Sequence, residues 1–220
     1  MTFEAVSDGI YKKDNEYYTL NLTPSKSIYG EELIQKGGKE YRHWDPRRSK
    51  LAAFLKREGS LPLEYDMDVL YLGAGDGTTV SHVADILTHG RVFAVELSGK
   101  PYTNLLELSK HRKNIFPILE DAGKPVKYSD IIPKVDFLYQ DISQKDQSKI
   151  FLKNISFLKK DRYGFIAVKC RSIDVTRSPD KIYSQVENTL RSEGLDILGR
   201  TDISRWQKDH AIIMARKAHE

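Results

Sequence analysis

The segment 69-VLYLGAGDGTTVSHV-83 passes from an apolar strand pattern through Gly73, Gly75 and Gly77 into a helix pattern. Glycines at such a turn allow tight bends and let a ligand lie directly on backbone. The spacing is G-x-G-x-G, whereas dinucleotide enzymes use G-x-G-x-x-G to seat a pyrophosphate on a helix N-terminus. It suits a cofactor without phosphate, such as S-adenosylmethionine, whose methionine and ribose need a backbone shelf. An acid ends the next strand: Glu96, 23 positions after Gly73, where a carboxylate can accept from both ribose hydroxyls. Two more strand patterns end in acids, 117-PILEDAGKP-125 and 138-LYQDISQ-144. Asp121 with Ala122 can bracket an adenine, the carboxylate accepting from the exocyclic amine while alanine leaves room for the ring. Asp141 and Gln144 can address the methionine end. Ala74, Thr78 and Thr79 in the glycine turn, Leu97 after Glu96 and Ile142 after Asp141 complete the candidate cofactor set.

Positioning these residues requires an alternating sheet. After Pro62 the pattern switches between strands at 68–73, 91–97, 115–121, 135–141 and 163–169 and helices near 79–88, 101–112, 145–159 and 179–193. The strands are continuous runs of Val, Ile, Phe and Tyr, as expected of a parallel sheet covered on both faces. The chain closes with 195–201 and 210–217, close enough in sequence to form an antiparallel pair. The fold class predicted is α/β: a doubly wound, seven-stranded, mostly parallel Rossmann-like sheet, with its crevice at the carboxyl ends of the strands. Residues 1–45 carry short strand pieces, FEAV, GIYKK, EYYTLNL and a fragment near SIYG, and predict a small β-hairpin lobe. Residues 46–220 form the catalytic domain in this reading. A helix over 46–57 begins at Pro46 with Asp45 as its cap.

With 220 residues, the chain is long enough for one full α/β core and a minor appendage. Cys170 is its one cysteine, which excludes a disulfide framework and a cysteine-based metal cage. No metal is needed by the chemistry proposed below. No apolar run is long enough to cross a bilayer, and the N-terminus lacks a secretory pattern, so a soluble, cytoplasmic protein without membrane contact is expected. The net charge of +4 is compatible with a nucleic-acid partner without demanding one.

Several strings together resemble the fibrillarin family: 41-YRHWDPRRSKLAA-53, the turn GAGDGTTVSHVAD, 96-ELS-98, the 114–122 stretch ending in DA, 169-KCRSIDVT-176 and 208-KDH-210. The similarity runs along the whole chain, including the N-terminal lobe. It implies an S-adenosylmethionine-dependent RNA ribose 2′-O-methyltransferase, the catalytic subunit of a box C/D guide ribonucleoprotein acting on rRNA and tRNA. Partners implied are the guide RNA and its target, a Nop-type scaffold protein and a kink-turn-binding protein of ribosomal type. The family uses a Lys-Asp-Lys-His set, whose matching positions are Lys50, Asp141, Lys169 and His210.

A ribose 2′-hydroxyl is a weak nucleophile at neutral pH, so it must be oriented toward the methyl donor and relieved of its proton. Lys169 is the expected base, oriented by Asp141, with Lys50 and His210 placing the ribose and its phosphate. Burial and a second cation would lower the Lys169 pKa while Asp141 would raise it, and the sequence leaves that balance open. Arg42, Arg47, Arg48, Arg171 and Arg177 are expected to meet RNA phosphates.

The chain departs from the family's pattern at Gly75 and Asp76, at Leu97, in 141-DISQ-144 and at Trp206. The chain lacks the Gly/Arg-rich tail of eukaryotic members and resembles the short archaeal form. Two alternatives stay open: a methyltransferase for a protein side chain or small molecule, and a non-catalytic scaffold subunit of an RNA particle. A nicotinamide dehydrogenase is disfavoured by the glycine spacing.

Overall fold

The computed structural model describes residues 2–218, in two sheets. The first has five antiparallel strands, β1 (Glu4–Ser7), β2 (Ile10–Lys13), β3 (Glu16–Leu20), β4 (Leu33–Lys36) and β5 (Lys39–His43), in the order β1-β2-β3-β5-β4. The helix α1 (Lys50–Glu58) then leads into a seven-stranded sheet. Its strands are β6 (Asp68–Leu72), β7 (Arg91–Glu96), β8 (Ile115–Leu119), β9 (Val135–Gln140), β10 (Leu158–Lys169), β11 (Leu195–Asp202) and β12 (His210–Lys217). Between them run α2 (Thr78–Ile86), α3 (Gly99–His111), α4 (Gln147–Asn154), the one-turn α5 (Cys170–Ile173) and α6 (Pro179–Ser192).

The order β11-β12-β10-β9-β6-β7-β8 is doubly wound, and β12 alone runs against its neighbours, pairing antiparallel with both β10 and β11. The fold class and the seven strands agree with expectation. The chain leaves β6 toward β7 and β8 on one side and reaches β9 on the other, so the topological switch lies between the carboxyl ends of β6 and β9. Ligands of such sheets bind there.

Three local expectations require correction. The helix after the first sheet starts at Lys50, and its cap is Ser49, whose Oγ accepts from Ala52 N at 3.2 Å. Asp45 instead closes the preceding turn, its carbonyl accepting from Arg48 N and Ser49 N and its carboxylate from Arg47 N. The stretch near 27–30 is not a strand; two Glu31 carboxylate oxygens gather the Ile28 and Tyr29 N–H groups and hold it in a turn. The β4–β5 hairpin was missed. Its two-residue turn is Gly37-Gly38, both at positive φ, a conformation glycine adopts without strain.

The small sheet shares a core with the large one: Ile10, Tyr17 and Trp44 pack with α1, α2 and the β6 face. A charged cluster fastens the joint. Asp85 on α2 accepts from Arg42 Nη1 at 2.5 Å and from Arg112 Nε at 2.8 Å, while Arg42 also reaches Glu31 Oε1 at 2.7 Å and Ser81 Oγ at 2.9 Å. All four charged side chains have zero exposure. Beside them His82 lies flat against Trp44, ring centroids 5.1 Å apart. Thr19 Oγ1 lies 2.8 Å from its Nδ1, and Tyr29 Oη 2.8 Å from its Nε2. Tyr29 donates its hydroxyl proton to the His43 carbonyl, so it accepts from Nε2–H, and a neutral His82 is satisfied on both nitrogens. Burial drives the His82 pKa well down, and the Arg42 charge adds to it.

Candidate active site

The cleft at the switch point has a volume of about 520 Å³. Its floor is Tyr71, Gly73, Ala74 and Gly75; Thr78 and Thr79 begin α2 beside it, and Glu96, Leu97 and Ser98 rise from the end of β7. Glu120 and Ala122 follow β8, and Asp141, Ile142, Ser143 and Gln144 follow β9.

Gly73 fixes where two walls meet. It sits at φ 82°, and a Cβ added there would lie 2.4 Å from the Asp141 carbonyl oxygen, so only glycine fits. Asp141 N–H in turn donates to Leu72 O at 2.8 Å, which locks the end of β9 to the end of β6. Gly75 is different: a Cβ there would meet nothing within 4 Å, and its N–H donates to Glu96 Oε2 at 2.7 Å. The second Glu96 oxygen accepts from Ser98 N at 2.8 Å. Both oxygens are thereby aimed, each keeping lone-pair capacity for a ligand hydroxyl.

Asp121, expected against the adenine, stands between two residues of the cleft wall. Its Oδ1 accepts from Gly123 N at 2.8 Å and from Gln144 Nε2 at 3.1 Å, and these bonds hold its carboxyl below the usual range. The wall is formed by its neighbours Glu120 and Ala122. Asp121 therefore orients Gln144, which does line the cleft.

Four carboxylates line the cleft, Asp76, Glu96, Glu120 and Asp141, against two cations, Arg48 and Lys169. That excess of negative charge repels a pyrophosphate and suits a cationic sulfonium nucleoside. Together with a floor that glycine keeps clear of side chains, it fits S-adenosylmethionine.

At one end of the cleft the four residues matched by the catalytic resemblance come together. Lys50 Nζ lies 3.1 Å from Asp141 Oδ2, and Lys169 Nζ lies 2.9 Å from Asp141 Oδ1. Lys169 Nζ also donates to Ser143 Oγ at 3.0 Å. Burial would raise the Asp141 carboxyl, but Lys50 and Lys169 outweigh it and hold it below the usual carboxylate range. His210 is the cross-strand partner of Lys169 in the β10–β12 ladder, and its Nδ1 lies 2.6 Å from Lys208 O. Burial lowers its pKa, the Lys208 carbonyl opposes, and Lys50 pushes down again. His210 is therefore neutral at pH 7, with Nδ1 as its donor and Nε2 free to accept.

Of the five arginines expected to meet RNA, Arg47, Arg48, Arg171 and Arg177 are exposed. Arg171 is aimed by Asp209 at 2.7 Å, and the Arg48 guanidinium lies 5.7 Å from the Tyr29 ring centroid. Arg42 does not meet RNA: it is sealed in the joint between the sheets, where no phosphate can reach it. Sequence reasoning missed Tyr71, Ser98, Glu120 and Ser143. Tyr71 could have been found, since it stands two places before Gly73 on the same strand face.

The fibrillarin family profile matches residues 3–219. A Methanothermobacter thermautotrophicus protein named fibrillarin-like rRNA/tRNA 2′-O-methyltransferase is 44% identical over 212 residues, covering 96% of this chain and 95% of the relative. Aeropyrum pernix fibrillarin, solved with natively bound S-adenosyl-L-methionine, superposes with a TM-score of 0.86 at 37% identity, covering 98% of this chain and 99% of that one. A fibrillarin solved in complex with Nop5p gives a TM-score of 0.89 at 41% identity, covering 97% and 100%. Among the described residues no helix is long and apolar enough to cross a membrane, and no three or more His, Cys, Asp or Glu side chains cluster so as to hold a metal ion. With the family profile, the sequence identity and the superposed fold all extending over nearly its whole length, the chain belongs to the fibrillarin family.

Proposed function

We propose that this chain is an S-adenosylmethionine-dependent RNA ribose 2′-O-methyltransferase, the catalytic subunit of a box C/D guide ribonucleoprotein acting on rRNA and tRNA. The observation that carries the reading is Asp141 held between Lys50 and Lys169 at the end of a cleft shaped for the cofactor. When bound, S-adenosylmethionine supplies an electrophilic methyl group. Glu96 takes the ribose hydroxyls, Ala122 leaves room for the adenine, and Gln144 with the glycine floor holds the methionine end.

Lys169 contacts the target 2′-hydroxyl; its amine first releases to solvent the proton it carries beside Asp141 and then takes the hydroxyl proton as the oxygen attacks. Asp141 keeps the lysine at its post and, as a firmly ionised carboxylate, stabilises the ammonium that forms. Lys50 shares that carboxylate and, with neutral His210, places the ribose and the adjacent phosphate. Burial around this cluster strengthens each of these charge interactions. Arg47, Arg48, Arg171 and Arg177 hold the RNA backbone without reading bases, so sequence choice falls to a guide RNA.

The named activity of the Methanothermobacter relative and the bound cofactor of the Aeropyrum structure support the reaction, and the Nop5p complex supports a Nop-type scaffold as partner. A kink-turn-binding protein completes the proposed particle, and a cytoplasmic location fits it.

The test is transfer of labelled methyl to a guide–target RNA pair with both partner proteins present. Wild type is expected to label one guide-specified 2′-hydroxyl. Asp141→Ala is expected to lose that label by about 10²- to 10⁴-fold while still binding cofactor. Cofactor binding without any RNA labelling by wild type would transfer the reading to another acceptor.

A further inference from the structure

Lys50 and His210 stand 160 positions apart, yet each directly follows a turn, and one side chain joins the two turns. Gln207 Nε2 donates to Pro46 O at 3.1 Å and to Arg47 O at 2.8 Å. Both ends of this tie are stiff. On one side, Trp206 N–H and Gln207 N–H reach Ile203 O, His210 N–H reaches Gln207 O, and Ile203 N–H reaches His210 O. On the other, the Asp45–Ser49 turn is closed on the Asp45 carbonyl, and Ser49 Oγ accepts from Thr79 Oγ1 at 2.9 Å. A shift of Gln207 therefore moves His210, and a shift of Pro46 and Arg47 moves the first residue of α1, Lys50.

The chemistry of the tie is selective. Two neighbouring carbonyls call for a group with two N–H donors, and the amide at the end of this side chain supplies them. A glutamate of the same length would set a carboxylate against two carbonyl oxygens.

We infer that Gln207 is a positioning residue for methyl transfer: by binding the turn before Lys50 to the loop before His210 it sets these two groups in register about Asp141. The inference rests on the catalytic reading above. It goes beyond that reading by giving a role to a residue outside the Lys-Asp-Lys-His set.

The experiment compares wild type, Gln207→Leu and Gln207→Glu in the assembled particle. A displacement of about 1 Å is enough to cost on the order of tenfold or more in turnover. Gln207→Leu is expected to lower kcat about tenfold, leaving cofactor Kd and RNA KM within roughly twofold. Gln207→Glu keeps the side-chain length and shows the same loss if Gln207→Leu fails to fold. In a Lys50→Ala background the Gln207→Leu loss is expected to shrink, since one of the groups it positions is gone. Unchanged kcat, or a full multiplicative loss in that background, would overturn the inference.

One readout needs no methyl transfer and so separates this inference from the proposed function. The His210 imidazole titration, followed by NMR, is expected to shift in Gln207→Leu, and coincident curves would count against Gln207 even if wild type proved inactive on RNA.

Discussion

Two places in this molecule set one aspartate between two cations, and they are built for opposite ends. At the joint between the sheets, Asp85 lies between Arg42 and Arg112, with no exposure at any of the three side chains. At the cleft, Asp141 lies between Lys50 and Lys169, with exposures of 13%, 15% and 16%. The joint uses guanidinium groups, whose fixed fork of donors reaches Glu31, Ser81, Asn21 and Asp85. The cleft uses amines, compact charges on flexible stems. Identical arithmetic of charge is thus sealed away from solvent at the joint and left within reach of a ligand at the cleft.

Asp85→Ala is expected to destabilise by about 5 kcal/mol, the upper range for orphaning buried charge, because two guanidiniums lose their partner at once. Urea unfolding measures it, and a loss under about 1 kcal/mol would show that the joint does not depend on this cluster. Lys169→Arg keeps the charge beside Asp141 but replaces the group by one that cannot deprotonate. Turnover is expected to fall by on the order of 100-fold with little change in Tm. Retained turnover would remove Lys169 as the base.

A pH series gives the smallest effect and separates the two regions further. The His82 pKa is depressed, so the unfolded chain takes up a proton near pH 6.5 while the folded one resists. Its contribution is complete above that pH and is lost as pH falls toward the depressed value, at up to about 1.4 kcal/mol per pH unit. His210 adds to the same window in the same direction. Stability measured between pH 7 and 5 should therefore decline, and His82→Gln should flatten most of the slope. The contribution of Asp141, also depressed, is complete across this window and is lost only as pH falls through the usual carboxylate range and below.

The sheet and the convergence of the cleft residues were legible because strand ends advertise themselves: continuous apolar runs stop at Gly73, Glu96 and Asp141, and a doubly wound order must bring those ends together. What the sequence hid was tertiary. Arg42 sits among arginines near Trp44 and looks like part of a basic face; only the fold places Asp85, 43 residues later, directly beneath it. Asp45 before Pro46 has the local chemistry of a helix cap, but Gln207 takes the Pro46 and Arg47 carbonyls from the far end of the chain, and the helix begins at Lys50. Asp121 ends its strand in a ligand-compatible way, and only the fold shows that one of its oxygens is taken by the Gly123 N–H and Gln144.

The contact at Gly73 couples two properties usually adjusted one at a time. The backbone that floors the cofactor cleft and the backbone that carries the central carboxylate touch there, so the depth of one surface and the height of the other are a single dimension. Directed evolution of this scaffold toward bulkier cofactor analogues should find room by changing Ala122 or Leu97, whereas position 73 should stay closed to change. Any side chain there would move the donor's seat and the acceptor's anchor together.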